Sequence, residues 1–310
     1  VSESQIAGPH IAEAYRYCRE VARREAKNFY WAFRVLPRRK SDAMCAVYAF
    51  MRRADDIADN ESKSIEARRA EMAAWMQSWR ASRVASATGA SDPVFLALAD
   101  TQQRFAIPDS LLEQLVAGTT MDLESAEAAS PLQTFATFDD LYRYCYLVAS
   151  VVGLVCIRIF GYTDPRAEQL AEETGVAFQL TNILRDIKED AERSRIYIPL
   201  DLMDEFGESI SELRELAAGR PMTERERAML ATLAIRAEKY YVAAGKLIPL
   251  LDRDSRAAMW VLVTIYHRLL AEIAARKMDV FTERMSVSTP AKLTILARGA
   301  LMAMWNRVLG

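Results

Sequence analysis

Two stretches of this chain place carboxylates at helical spacing within otherwise apolar sequence. The first runs from Tyr48 to Asp59, where Asp55 and Asp59 stand four residues apart. A helical turn rises about 5.4 Å, so both carboxylates project from one face. Arg52 lies three residues before Asp55 on the same stripe, and Asp56 points about 100° away. The second stretch runs from Gln179 to Asp190. Asp186 and Asp190 share a face, and Asn182 and Gln179 continue it backward. The other faces carry Val176, Phe178, Leu180, Ile183, Leu184 and Ile187.

A helix apolar around most of its circumference is buried. A buried line of carboxylates is costly unless it holds cations or faces water. Two such lines point to one cavity with an acidic patch on each of two walls. Mutually repelling carboxylates there suit Mg²⁺, which prefers oxygen ligands, keeps waters and often shares them with substrate phosphates. The substrate implied is a phosphate or diphosphate with an apolar body. One such spacing alone is most often a solvated helix face; the pair, extended by Gln179, Asn182 and Arg52, is the more specific signal.

The elements that must position these residues are helices. Apolar periodicity is nearly continuous and predicts helices at about 10–27, 29–35, 40–59, 65–81, 93–105, 109–125, 138–160, 164–190, 199–205, 208–217, 222–250, 253–279 and 289–308. Pro37 ends one helix. Ser82 to Pro93, rich in Ser and Ala, reads as a mobile loop. Gly161 to Pro165 reads as a turn with Asp164 and Pro165 suited to N-cap and N1. Gly219-Arg220-Pro221 separates two helices, and Thr223 with Glu226 forms a capping box. The 310 residues show no repeat, long linker or shift of composition, so a single all-α domain over 1–310 is expected.

Composition agrees. Hydrophobic residues make up 51% of the chain, enough for a large core, and Gly and Pro number only 11 and 10. The net charge of −2 gives no general drive toward nucleic acid. His10 and His267 are too few for a histidine metal site. Cys18, Cys45, Cys145 and Cys156 show no Cys-x-x-Cys spacing and read as buried thiols of a reducing compartment. Val1 to Ser4 lacks the basic and apolar regions of a signal peptide. The longest uncharged apolar run, Tyr144 to Ile157, is 14 residues, a core helix rather than a membrane span of about 20.

Across roughly Tyr15 to Val287 the chain resembles the squalene/phytoene synthase family, the head-to-head trans-prenyltransferases. The resemblance rests on Asn28-Phe29-Tyr30-Trp31-Ala32-Phe33, Tyr48 to Asp59, Tyr144 to Gly153, and Gln179 to Pro199 with its Arg195-Ile196-Tyr197-Ile198-Pro199 signature. It implies an all-α isoprenoid-synthase bundle with a central cavity. It matches Asp55 and Asp59 to the first aspartate motif and Asp186 and Asp190 to the second, both binders of Mg²⁺–diphosphate, with Asn182 beside them as a metal ligand. Arg52, Gln179, Asn182, Arg185 and Tyr197 match positions that contact or support diphosphates and metals. Tyr144 matches a tyrosine implicated in catalysis, and Phe29 and Phe33 match cavity-lining aromatics. Asn28, Val148 and Ala149 fall in the same motifs and are assigned to substrate binding. The chain departs from the family pattern at Asn28 (Ser in many members), at Ser150 (Gly, so a narrower pocket is expected) and at Met278 (a tyrosine before Asp279-Val280-Phe281).

The resemblance implies condensation of two prenyl diphosphates to a cyclopropyl diphosphate, with Mg²⁺, or Mn²⁺ in its place, neutralising the leaving group. Ser150 and Met278 favour farnesyl diphosphate and the presqualene diphosphate/squalene side; phytoene synthesis from geranylgeranyl diphosphate is the alternative. The need for NADPH is left open: no GxGxxG fingerprint is present, but the family carries no Rossmann domain. A terpene cyclase and a non-catalytic helical scaffold are lesser alternatives. The segment Leu293 to Trp305 is apolar with sparse cations; it reads as a terminal helix packed on the core, with contact at a membrane surface as the other reading. A cytoplasmic location is expected, with the inner membrane face as the possible contact. Oligomeric state is left open.

Overall fold

The computed structural model describes residues 7–26, 28–84, 92–125 and 132–308. Among them the chain is all-α, with only two isolated bridges, Gln133 with Arg195 and Tyr162 with Leu251. The helices are α1 (Ala7–Glu25), α2 (Asn28–Val35), α3 (Arg38–Ala58), α4 (Ile65–Val84), α5 (Pro93–Phe105), α6 (Asp109–Ser125), α7 (Phe138–Cys145), α8 (Val151–Phe160), α9 (Arg166–Glu192), α10 (Leu200–Glu205), α11 (Ile210–Ala217), α12 (Glu224–Leu247), α13 (Arg253–Ala275) and α14 (Thr289–Val308). The expected loop 82–93 lies largely outside the described residues, as do Val1 to Ser4; α4 runs on to Val84.

Local chemistry explains most boundaries. Pro37 both closes α2 and caps α3. Asp164 accepts from the Arg166 backbone N–H at 2.9 Å, but α9 starts at Arg166, so Pro165 takes the cap position expected of Asp164. The box at Thr223 and Glu226 is present, and Thr137 with Asp140 and Ser209 with Glu212 form two more. The helix expected over 138–160 is continuous but contains a π turn, Tyr146–Ser150. The widened turn packs against glycines: a Cβ on Gly175 would sit 2.5 Å from the Ser150 Cα, and one on Gly118 2.7 Å from the Leu147 carbonyl oxygen. π turns inside α-helices concentrate at functional sites, and this one faces a cavity described below.

The main departure is at the end of α13. Apolar periodicity carries the helix to 279, yet it stops at Ala275. Lys277 and Met278 both take left-handed backbone, φ 54° and 64°. The Met278 N–H bonds to the Ile273 carbonyl at 3.0 Å and the Lys277 N–H to the Ala274 carbonyl at 2.9 Å. That is a Schellman closure built without glycine. Asp279 then accepts from the backbone N–H groups of Phe281 and Thr282 and turns the chain into an extended strap, 279–288.

The core divides in two. One part is built largely by α1, α3, α4, α5 and α8, the other by α7, α10, α11 and α12 with the strap. Both α9 and α13 run through the two: Ala167 and Ala171 lie in the first and Val176 onward in the second, as do Ala257–Met259 and Val261 onward. The segment Phe138–Phe160 and helix Arg253–Ala275 have the length and hydropathy to cross a membrane; about half of each apolar window is buried in the bundle, 44% and 50%. The cysteines are free thiols; Cys18, Cys45 and Cys145 are buried.

A left-handed non-glycine residue costs about 1–2 kcal/mol, and Lys277 is exposed. Lys277→Gly should therefore stabilise the chain by about 1 kcal/mol, read as a higher urea midpoint at unchanged slope. A lower midpoint would mean that the closure does not strain the backbone.

Candidate active site

Two chambers occupy the seam between the cores. The inner one, about 280 Å³, is apolar, walled by Phe33, Met44, Val47 and Met51 of α2 and α3, Val148 and Ala149 of the π turn, Phe178 of α9, and Leu247, Met259 and Leu262. The outer one, about 410 Å³, is more polar and is lined by Glu25, Arg185, Ser286 and Lys292 beside Ile265, Met285 and Val287. Phe29, Tyr48, Asn182, Leu262 and Tyr266 line both. These five form the junction. Aromatic rings ring it: Tyr266 stacks on Phe178 at 4.4 Å and tilts against Phe29 at 6.0 Å.

The acidic stripes lead outward from this junction. On α3, Tyr48 and Met51 line the chambers, and Asp55 and Asp59 follow on the next turns of the same face. On α9, Gln179 and Asn182 line the inner chamber, and Asp186 and Asp190 follow in the same way. None of the four aspartates lines either chamber; they stand beyond the polar end. Among the described residues no three His, Cys, Asp or Glu side chains converge at metal-binding distance. The acids are two pairs, not one cluster.

In each pair one carboxylate, Asp55 or Asp190, has no ion pair of its own among the described residues. Both lie at helix C-termini, where the helix dipole is negative, and the last turns of α3 and α9 carry no basic residue. Burial, with Asp59 alongside, raises the Asp55 carboxyl to about 6 against the pull of Arg52. Burial, with Asp186 alongside, raises Asp190 to about 7 against the pull of Arg195. Asp55 also accepts a long hydrogen bond, 3.4 Å, from the Thr119 hydroxyl. Asp186 is held differently. Arg185 grips it through two nitrogens, and Arg284 of the strap donates to it at 3.1 Å while reaching Glu189 at 3.4 Å. The Asn182 amide nitrogen donates to Gln179, and its Oδ1 is buried with no hydrogen-bond partner.

Several expectations are revised by these positions. Arg52 lies on the Asp55 stripe as expected and acts on Asp55, but its ion pair, at 2.7 Å, is with Asp56 at i+4. Tyr144 is buried and lines neither chamber; its hydroxyl donates to Tyr197 at 3.1 Å, and the two rings stack at 5.0 Å against Phe135. Tyr197 shares a small pocket with Asp190 and Arg195, behind α9. Ser150 does not narrow the cavity: it is fully buried and donates to the Glu172 carbonyl at 2.6 Å. Met278 is buried in the second core, away from both chambers. The Asn28 side chain lies outside the described residues. Phe29, Phe33, Val148, Ala149, Gln179, Asn182 and Arg185 are brought together as expected. Sequence reasoning missed Tyr266, Arg284 and Lys292. Arg284 lies between the expected helices, where no periodicity shows which way the chain runs, and Tyr266 reads as core at helical spacing.

A carboxyl raised in the folded state keeps a proton that the unfolded chain has lost. Stability therefore falls as pH climbs from the ordinary carboxylate range to about 7, then levels. In chelator, Asp190→Asn should melt above the unsubstituted chain at pH 8, with the gap closing as pH falls below about 7. Equal melting curves across that range would show Asp190 to be solvated.

Comparison with known proteins agrees with this geometry. The squalene/phytoene synthase family model matches residues 22–291. A phytoene synthase of Mycobacterium tuberculosis is 37% identical over 287 residues, covering 93% of this chain and 90% of the relative. The 15-cis-phytoene synthase of Synechococcus elongatus is 33% identical over 306 residues, covering 94% of each. Among solved structures, a dehydrosqualene synthase superposes with a TM-score of 0.81 at 27% identity, over 96% of this chain and 99% of that one. The squalene synthase HpnC of Alicyclobacillus acidocaldarius superposes at 0.76 with 25% identity, over 86% and 95%. With the family model, the sequence identity and the fold in agreement, this chain belongs to the squalene/phytoene synthase family of prenyltransferases.

Proposed function

We propose that the chain joins two molecules of geranylgeranyl diphosphate head to head, through a cyclopropyl diphosphate, to a phytoene-like triene. The observation that carries the reaction class is the shared junction, where an apolar chamber meets a polar one at the inner ends of two acidic stripes. Such a site takes a molecule with a hydrocarbon body and an anionic head. The C20 length is supported by the phytoene synthases that match over nine-tenths of the chain. The features that favoured the C15 side, Ser150 and Met278, touch neither chamber. Farnesyl diphosphate is the second reading, favoured by the fold match to a dehydrosqualene synthase.

The donor set fits a hard divalent cation: four carboxylates at negative helix ends and an orphaned amide oxygen on Asn182. Asp55, Asp59, Asn182, Asp186 and Asp190 would hold Mg²⁺, or Mn²⁺, which when bound supplies Lewis-acid neutralisation of the diphosphate leaving group. Arg185 and Lys292 in the outer chamber bind diphosphate oxygens, and Arg52 and Arg284 stand at its acidic rim. Phe33, Val148 and Ala149 hold the isoprenoid body and keep water out. The faces of Phe29, Phe178 and Tyr266 lie where the allylic cation forms and stabilise positive charge. Tyr144 and Tyr197 are positioning residues that brace the Asp190 end of α9. The final cation is quenched by loss of a proton to the released diphosphate, rather than to Tyr144, and not by hydride, so no reductant is required.

Incubation with Mg²⁺ and geranylgeranyl diphosphate, without NADPH, should give a C40 hydrocarbon by mass spectrometry. A C30 product from farnesyl diphosphate alone would establish the second reading, and a one-substrate cyclic product would overturn both. Asp186→Ala and Asp55→Ala should each lower turnover by about a thousandfold or more with an unchanged circular dichroism spectrum. Full activity in either would remove the aspartates from the site.

A further inference from the structure

Helix α14 is two-sided in an unusual way. Its inner face, Ile295, Gly299 and Ala303, seats on α13 so closely that a Cβ on Gly299 would lie 2.3 Å from Val261 Cγ2. Its outer face is apolar. Leu293, Leu301, Met304 and Trp305 are 62%, 61%, 53% and 67% exposed, at positions i, i+8, i+11 and i+12 of one stripe. These four are half of the exposed large hydrophobic residues among those described. The helix carries Lys292, Arg298 and Arg307 and no acidic residue, in a chain with 42 Asp and Glu. By helical geometry, Arg298 borders the apolar stripe. Lys292, one residue before Leu293, lines the outer chamber.

We propose that the outer face of α14 docks on an anionic lipid surface. An apolar stripe bordered by cations, free of acids and ending in a tryptophan has the chemistry of an interfacial helix. A second copy of this chain fits less well: a two-fold contact through this face would set Arg298 near its symmetry mate with no acid on either helix. The inference deepens the prenyl diphosphate reading, since substrate and hydrocarbon product both partition into lipid. The docking itself follows from the exposed face alone.

The test is flotation of the full chain with vesicles of phosphatidylcholine containing about a third phosphatidylglycerol, against vesicles of phosphatidylcholine only. The chain should float with the anionic vesicles, less so at high salt. Leu301→Asp should weaken partitioning about tenfold or more, and Arg298→Glu should abolish the preference for anionic lipid. Both variants should keep the melting temperature and the turnover of detergent-dispersed geranylgeranyl diphosphate. Absence of flotation, or equal flotation of Leu301→Asp, overturns the proposal. A dimer by sedimentation equilibrium that Leu301→Asp converts to monomer gives the face to a second copy and overturns it too. Loss of detergent-phase turnover in the unsubstituted chain counts against the functional reading and leaves the flotation result standing.

Discussion

The structure turns on negative charge placed where a helical protein least tolerates it. Carboxylates are stabilised at helix N-termini and destabilised at C-termini. Here α3 ends in Asp55, Asp56 and Asp59, and α9 ends in Asp186, Glu189, Asp190 and Glu192. Neither last turn carries a basic residue. Arg52 answers Asp56, and Arg185 and Arg284 answer Asp186. Asp55 and Asp190 have no such grip, and theirs are the carboxyls pushed up to about 6 and about 7. Such an arrangement weakens the fold by itself. Under the proposed function a divalent cation and an anionic substrate would complete it, which would tie ligand binding to stability.

The apolar half of the site has a packing origin. One continuous core would leave no room for a C15 or C20 chain, because protein interiors are close-packed. In this bundle α9 and α13 pass from one core to the other, and the chambers lie where the two fail to merge. The π turn at Tyr146–Ser150 and the small residues opposite it keep that gap defined. Gly175 lets α9 approach the Ser150 backbone, while Val148 and Ala149 face the inner chamber. The wall therefore consists of stiff helical backbone rather than loop, which suits a site that must exclude water from a carbocation.

Much of this was legible before any coordinates. Helical periodicity is a strong signal over long segments, and α5, α6 and α14 begin and end where the pattern places them. The two aspartate stripes were legible because four-residue spacing fixes a shared face whatever the tertiary structure. What was not legible depends on backbone states without a sequence marker. Lys277 and Met278 adopt left-handed backbone with no glycine to announce it, so residues 276–279 were read as helix and the course of the strap that carries Arg284 went unread. The π turn is silent in the same way, because its residues have ordinary helical composition. Tyr144 shows a third limit: spacing puts it one turn before Val148, but its ring stacks on Tyr197 in the second core, and the chamber takes this helix only from Val148 onward.

The strap shows how the two halves of the site are joined. It leaves α13 at the Schellman closure and crosses α9, where Lys188 donates to the Phe281 carbonyl at 3.2 Å. Arg284 then reaches Asp186 and Glu189. Met285, Ser286 and Val287 line the outer chamber, and the chain enters α14 with Lys292 on the same wall. One ten-residue run thus contacts the second aspartate motif, walls the polar chamber and fixes where α14 begins. The acidic motif and the wall of the outer chamber are therefore joined by one short segment, although neither spacing nor periodicity connects Asp186 with residue 284.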